Sequence, residues 1–337
     1  MLMTTGPVEG IRRTRGEDAR VRTISKGKDP RKARLVVSCD RTIARDLHRY
    51  SAAALDAVIT VTTQEMRWDD PTVASMRAVK QQLGNITSVL QQARGRFAVT
   101  FKYDFVNFFM RVPRQRALDG IVFWQHRCRE HVGRRSTVYI VKHEARDQER
   151  FQEGRFSTRY ARLGPARAQS LTQAAVRIES MHQVAKADWD TPLLVGNRIW
   201  LQAHGLTIGS AWGTAACRAW ASWLECSRDR VCQSIGWSIT AMQHHADDRD
   251  RTTLRCSTNR VCKIRWVDDR WGVAVSDSMQ GTTAQVESMI CSMGVHVESL
   301  RAIAWWAGTH NVEPAGDTGR GESFREHPVK VAEVLLR

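Results

Sequence analysis

Lys263-Ile264-Arg265-Trp266-Val267-Asp268-Asp269-Arg270-Trp271-Gly272-Val273-Ala274-Val275 is the stretch that decides the reading of this chain. Two short apolar-rich runs, residues 263–267 and 270–275, flank an Asp-Asp pair, which predicts a tight hairpin with both carboxylates at its tip. Upstream, Phe97, Val99, Phe101 and Tyr103 alternate with Ala98, Thr100, Lys102 and Asp104. That two-residue period predicts a strand with one buried face, ended by Asp104. A sheet that lays this strand beside the hairpin gathers Asp104, Asp268 and Asp269 in one small volume. Carboxylates that close repel one another unless divalent cations neutralise them, and hard oxygen donors suit Mg²⁺ or Mn²⁺. Two such ions clamp the attacking and departing oxygens of an in-line phosphoryl displacement. On spacing alone, an ordinary hairpin turn and a solvent-facing strand end fit these residues as well.

The rest of the chain reads as mixed helix and strand. Leu47, Tyr50, Ala54, Leu55, Val58 and Ile59 recur at helical spacing, and residues 79–92 read as a second helix approaching Gly95. Residues 210–225 are rich in Ala and Trp without Pro, with Ser210 after Gly209 as a candidate N-cap. Residues 281–293 read as a further helix ending at Gly294. The expected class is α+β, an antiparallel sheet backed by helices.

Composition narrows the function classes. The 337 residues are 42% hydrophobic and 26% charged, which is globular and excludes a disordered or low-complexity chain. No uncharged apolar run approaches the roughly 18 residues needed to cross a bilayer, and the Arg-rich N-terminal segment has no apolar core like that of a signal peptide. No membrane partner is expected. The 8 Cys are scattered over a long chain, so the expectation is reduced thiols in an intracellular protein of nucleus or cytoplasm. The net charge is +16, and almost all of the surplus falls in residues 1–50 and 111–170. Such basic segments are either solvated faces or phosphate-contacting surface.

Three ordered motifs resemble those of reverse transcriptases. Tyr103-Asp104-Phe105-Val106-Asn107-Phe108-Phe109-Met110-Arg111-Val112-Pro113 is similar to motif A. Gln202-Ala203-His204-Gly205-Leu206-Thr207-Ile208-Gly209-Ser210 resembles motif B, the Gly-rich turn and helix start that cradle template and nucleotide. Arg265-Trp266-Val267-Asp268-Asp269 resembles motif C, with Trp266 where most members have Tyr. Upstream, Lys32-Ala33-Arg34-Leu35-Val36-Val37-Ser38 is similar to the fingers segment whose basic residues meet the incoming triphosphate. Among subfamilies the resemblance is closest to Penelope-like elements, with telomerase-type enzymes next.

The resemblance implies a right-hand polymerase: basic segment and fingers over residues 1–95, then palm over 96–310 with insertions at about 125–195 and 227–260. The tail 311–337 would be a short or missing thumb. It implies an RNA-directed DNA polymerase with RNA template, DNA primer and dNTP as partners. Two Mg²⁺ or Mn²⁺ ions would be held by Asp104 and Asp268, supported by Asp269 and the Phe105 carbonyl. Arg34 and Lys32 would meet the triphosphate, with Gly205, Gly209 and Ser210 lining the nucleotide site. Phe109 stands where RNA-dependent RNA polymerases usually carry an Asp, so the resemblance makes its ring an expected steric gate against a ribose 2′-OH, whereas without the motif it reads as a core side chain like Phe105 and Phe108. Two alternatives stand beside this: an unusual RNA-dependent RNA polymerase, and an inactive palm that only binds nucleic acid. The stretch between Gly209 and Asp268 also holds Cys226, Cys232, His244, His245, Cys256 and Cys262, a set able to offer thiolate and imidazole to Zn²⁺. Both pairs lack the Cys-x-x-Cys spacing, so free thiols are the expected state.

Overall fold

The computed structural model describes residues 19–26, 29–38, 42, 44–68, 70–72, 96–103, 108–133, 135–141, 161–165, 173–195, 198–234, 237–241, 259–266, 269–278, 280–281, 284–285 and 301–307. The chain begins with β1 (Ala19–Lys26), β2 (Asp29–Ser38), α1 (Arg45–Glu65) and β3 (Arg96–Tyr103). The short α2 (Phe108–Arg111), α3 (Arg114–Val132), β4 (Thr137–Val141), β5 (Ala161–Gly164) and β6 (Gln173–Arg177) follow. Then come α4 (Met181–Trp189), β7 (Leu193–Val195), β8 (Arg198–Trp200) and α5 (Ala211–Ser234). The last strands are β9 (Trp237–Ala241), β10 (Asn259–Trp266), β11 (Asp269–Ser276) and β12 (Arg301–Ala307). Two units result, one of Met1–Trp68 with Asn107–Leu224, the other of Asp69–Val106 with Glu225–Arg337.

The first unit packs helices with two small sheets. Of the apolar positions predicted in α1 from helical spacing, Ala54, Leu55, Val58 and Ile59 are buried and Tyr50 is half-buried, whereas Leu47, in the first turn, is 55% exposed. From α3, Ala117, Ile121, Trp124 and Cys128 are buried, and from α5 Trp212, Ala216 and Trp220. Burying Trp124 removes a large apolar surface from water, and its indole N–H keeps a partner by donating to the Ala219 carbonyl at 3.0 Å. One sheet has the order β2-β1-β7-β8, with β1 and β7 parallel and the other neighbours antiparallel. The second, β5-β4-β6, is wholly antiparallel.

The second unit is a five-stranded sheet, order β12-β3-β11-β10-β9. The predicted hairpin is present: β10 and β11 pair antiparallel from Arg260 opposite Val275 to Trp266 opposite Asp269. Asp269 is the first residue of β11, while Asp268 lies outside the described residues. β3 lies beside β11, with Tyr103 opposite Arg270, so the strand expected to end in a carboxylate does neighbour the hairpin.

Two features differ from the sequence reading. The sheet is antiparallel except for β9, which pairs parallel with β10; residues 242–258 between them give the length that a parallel crossover needs. The central strands are also buried on both faces rather than one. Ala98 and Val99, which point to opposite sides of β3, are each under 2% exposed, and β10 and β11 are buried at every described side chain from Arg260 to Arg265 and from Arg270 to Ser276. The helices expected over 79–92 and 281–293 fall largely outside the described residues. Among the described residues, no helix is long and apolar enough to cross a membrane.

Candidate functional site

In the first unit the glycine turn of residues 205–210 is held from two sides. The Leu206 N–H donates to the Phe109 carbonyl at 2.6 Å, and the Val37 N–H donates to the Ile208 carbonyl at 2.7 Å. The first bond ties the turn to α2, the second to β2, the strand that carries Lys32 and Arg34. Both glycines are required by this docking. Gly205 has φ +72°, and a Cβ there would stand 2.5 Å from the Met110 carbonyl oxygen and 2.6 Å from that of Phe109. Gly209 has φ +99°, and a Cβ there would collide with the Val37 carbonyl oxygen. Side chains rarely adopt such φ values, and here the space is filled as well.

Ser210 caps α5 as expected: its Oγ accepts the Gly213 N–H at 2.8 Å. The same hydroxyl donates to Asp188 Oδ2 at 3.0 Å, and Asp188 Oδ1 sits 3.0 Å from His48 Nδ1. All three side chains are buried, so the helix start is fixed to α1 and α4 together. Arg114 closes the other end of the turn, donating to the carbonyls of Gly205 at 3.1 Å, Trp189 at 2.9 Å and Gln202 at 2.5 Å. Arg114, Asp188 and His48 were not singled out from the sequence. The position of Arg114 directly after the motif A Pro113 was the available signal.

In the second unit the chemistry gathers around the hairpin. Arg265 on β10 and Arg270 on β11 are direct cross-strand partners, one step from the Trp266 and Asp269 pair. Like charges directly opposite one another repel, and Glu225 of α5 lies against both. Its Oε1 accepts from Arg270 Nε at 2.7 Å and its Oε2 is 3.1 Å from Arg265 Nη1. One helical turn on, Asp229 takes Lys263 Nζ at 2.6 Å. Burial pushes the Glu225 carboxyl up, but the charges of Arg265, Arg270 and Lys263 outweigh it with the Arg270 hydrogen bond, leaving it below the usual carboxylate range. Arg265 also pairs with Asp70 at 3.3 Å, donates to Thr72 Oγ1, and its backbone N–H donates to the Pro71 carbonyl at 2.7 Å. Residues 70–72 are thereby pinned along β10. Sequence reading missed this network. Its trace was there in two acids four apart in an Ala- and Trp-rich helix, and two cations two apart in an apolar strand.

Of the remaining sequence-predicted residues, Phe109 is half-buried on α2, Gly205 is buried and Gly209 exposed. Lys32 and Arg34 lie on β2, with Arg34 opposite Ile24. Asp104 and Phe105 lie outside the described residues, immediately after Tyr103 in the chain. Cys226 and Cys262 are buried, Cys232 is on α5 and Cys256 is outside the described residues. Among the described residues no group of three or more His, Cys, Asp and Glu is set to hold a metal ion.

No protein-family model matches the chain, and no curated protein sequence does. Solved structures do. Telomerase from Candida albicans in complex with the TWJ fragment of telomeric RNA superposes with TM-score 0.58 at 12% identity, over 92% of this chain and 46% of that one. Apo telomerase from Candida tropicalis truncated from its C-terminal domain gives TM-score 0.52 at 13% identity, over 92% and 53%. The untruncated apo enzyme from the same organism gives 0.54 at 12%, over 88% and 45%. The chain thus shares its fold with these telomerases and spans about half their length.

Proposed function

We propose that this chain is a template-directed nucleotidyltransferase, an RNA-directed DNA polymerase that adds deoxynucleotides to a DNA primer along an RNA template. The observation that carries the proposal is the register of the second unit: Tyr103 faces Arg270, and Trp266 faces Asp269. Tyr103 is covalently followed by Asp104, and Asp269 is preceded by Asp268, so the strands that bear the three carboxylates adjoin at these ends. The telomerase-like fold and the order of the three motifs support the same reading, as does the +16 net charge for a polyanionic partner.

Carboxylate oxygens are hard donors, and three of them on adjoining strand ends fit a pair of Mg²⁺ or Mn²⁺ ions better than any softer metal. Asp104 and Asp268 would hold these ions, with Asp269 and the Phe105 carbonyl in support. When bound, the ions lower the pKa of the primer 3′-OH and neutralise the charge on the leaving pyrophosphate. The chain's own residues do the remainder. Arg34 and Lys32 bind the triphosphate, Gly205, Gly209 and Ser210 seat template and nucleotide, and the Phe109 ring excludes a 2′-OH. The primer 3′-oxygen attacks the α-phosphorus, a new phosphodiester forms, and pyrophosphate leaves. Penelope-like elements are the proposed nearest subfamily, and nucleus or cytoplasm the proposed location.

Primer extension tests the proposal: an RNA or DNA template, dNTPs or NTPs, and Mg²⁺ or Mn²⁺. Extension on RNA with dNTPs is the expected result. Extension with NTPs alone assigns an RNA polymerase instead, and duplex binding without any extension assigns an inactive palm.

A further inference from the structure

We infer that Glu225 is a positioning residue for the proposed reaction: through Arg265 and Arg270 it fixes the hairpin that carries Asp268 and Asp269. The inference rests on the polymerase reading above and deepens it.

The geometry is specific. One carboxylate reaches both strands of the hairpin, Oε1 to β11 and Oε2 to β10, at a rung adjacent to the pair that opens the turn. Glu225 is 4% exposed, Arg265 1% and Arg270 2%, so all three groups are removed from water and each depends on the others. The second bridge, Asp229 to Lys263, fixes the register of helix on strand. Four residues of helix rise about 6 Å and two residues of strand about 6.6 Å, so Glu225 and Asp229 match Arg265 and Lys263 with α5 running antiparallel to β10. Apolar packing would tolerate a slide of a residue or a tilt of the hairpin. Two ion pairs at matched spacing do not. Asp70 and Thr72 hold the outer side of the Arg265 guanidinium, so its plane is set from two directions.

A carboxylate pair that must present oxygens to two cations within a few tenths of an ångström benefits from that fixity. Groups that hold metal ligands from behind commonly carry about 10- to 100-fold in metal affinity or rate when removed.

The test compares wild type, Glu225→Gln, and the apolar replacement Glu225→Leu with Arg265→Met and Arg270→Leu. Single-turnover nucleotide incorporation is measured against Mn²⁺ and dNTP concentration, alongside thermal denaturation. Glu225→Gln should raise the Mn²⁺ half-saturation and lower the incorporation rate about 10- to 100-fold together, with dNTP half-saturation within about twofold. The apolar replacement should recover thermal stability without recovering Mn²⁺ dependence or rate. The inference is overturned by wild-type rate and Mn²⁺ dependence in Glu225→Gln, or by the apolar replacement restoring both along with stability, which would make the network merely structural. Should Glu225→Gln fail to fold, the apolar replacement alone decides. If wild type itself incorporates nothing, the polymerase reading fails and the inference with it; failure of the inference alone is read only in the variants, against an active wild type.

Discussion

The Leu206 N–H donates to the Phe109 carbonyl at 2.6 Å, so the glycine turn is bonded to the very residue read as the sugar gate. A change in either shifts the other. Gly205→Ala places a Cβ 2.5 Å from the Met110 carbonyl oxygen at φ +72°. We expect a loss of about 1–3 kcal/mol from the backbone conformation alone, with more from the collision, read by chemical denaturation. Nucleotide incorporation should fall further than stability predicts, because the turn cannot stay docked on α2.

Phe109 is half-buried, unlike a core phenylalanine such as Phe101, which is 1% exposed. Phe109→Ala should therefore cost little stability while changing sugar choice. We expect the ratio of kcat/KM for NTP over dNTP to rise by about tenfold or more. An unchanged ratio in a folded variant would remove Phe109 from the gate.

Ser210→Ala removes an N-cap and takes one hydrogen bond from the buried Asp188. The cap alone is worth about 1 kcal/mol, and the buried carboxylate adds to it. Ser210→Thr keeps the hydroxyl and should be milder in thermal melts. Equal melts for the two would mean the hydroxyl is not what holds the helix start.

Glu225 titrates below the usual carboxylate range because Arg265, Arg270 and Lys263 outweigh its burial. A carboxylate depressed in the folded state contributes stability in full above its unfolded pKa, and that contribution is lost as pH falls through the folded value. Glu225→Gln should flatten the acid limb of the stability profile and lower stability near neutrality. Removing one partner, as in Arg265→Met alone, should cost about 3–5 kcal/mol by leaving buried charge uncompensated, measured by denaturant unfolding at pH 7. A stability–pH curve for Glu225→Gln parallel to wild type would contradict this.

What the sequence made legible was local. The period-two run ending at Tyr103 and the paired runs about Asp268-Asp269 each form strands, and they do lie side by side in the sheet, because alternation and a turn signal are properties of short segments. The cap at Ser210 was readable for the same reason. Burial of both faces of β3, β10 and β11 was not, since Lys263, Arg265 and Arg270 look like solvent-facing residues until Glu225 and Asp229, some forty residues earlier in the chain, supply their counter-charges. For Arg114 only its place after Pro113 gave a signal: its hydrogen-bond acceptors are the backbone carbonyls of Trp189, Gln202 and Gly205, which leave no mark in side-chain identity. The parallel pairing of β9 with β10 answers to no pattern within the strand itself.

The most direct test of the central claim is single-nucleotide incorporation on an RNA template by wild type, Asp104→Asn and Asp268→Asn, with binding of the primer–template duplex measured in parallel. We expect dNTP incorporation by wild type that requires Mg²⁺ or Mn²⁺, and its loss in both variants with duplex binding retained. Incorporation that survives either substitution would contradict it.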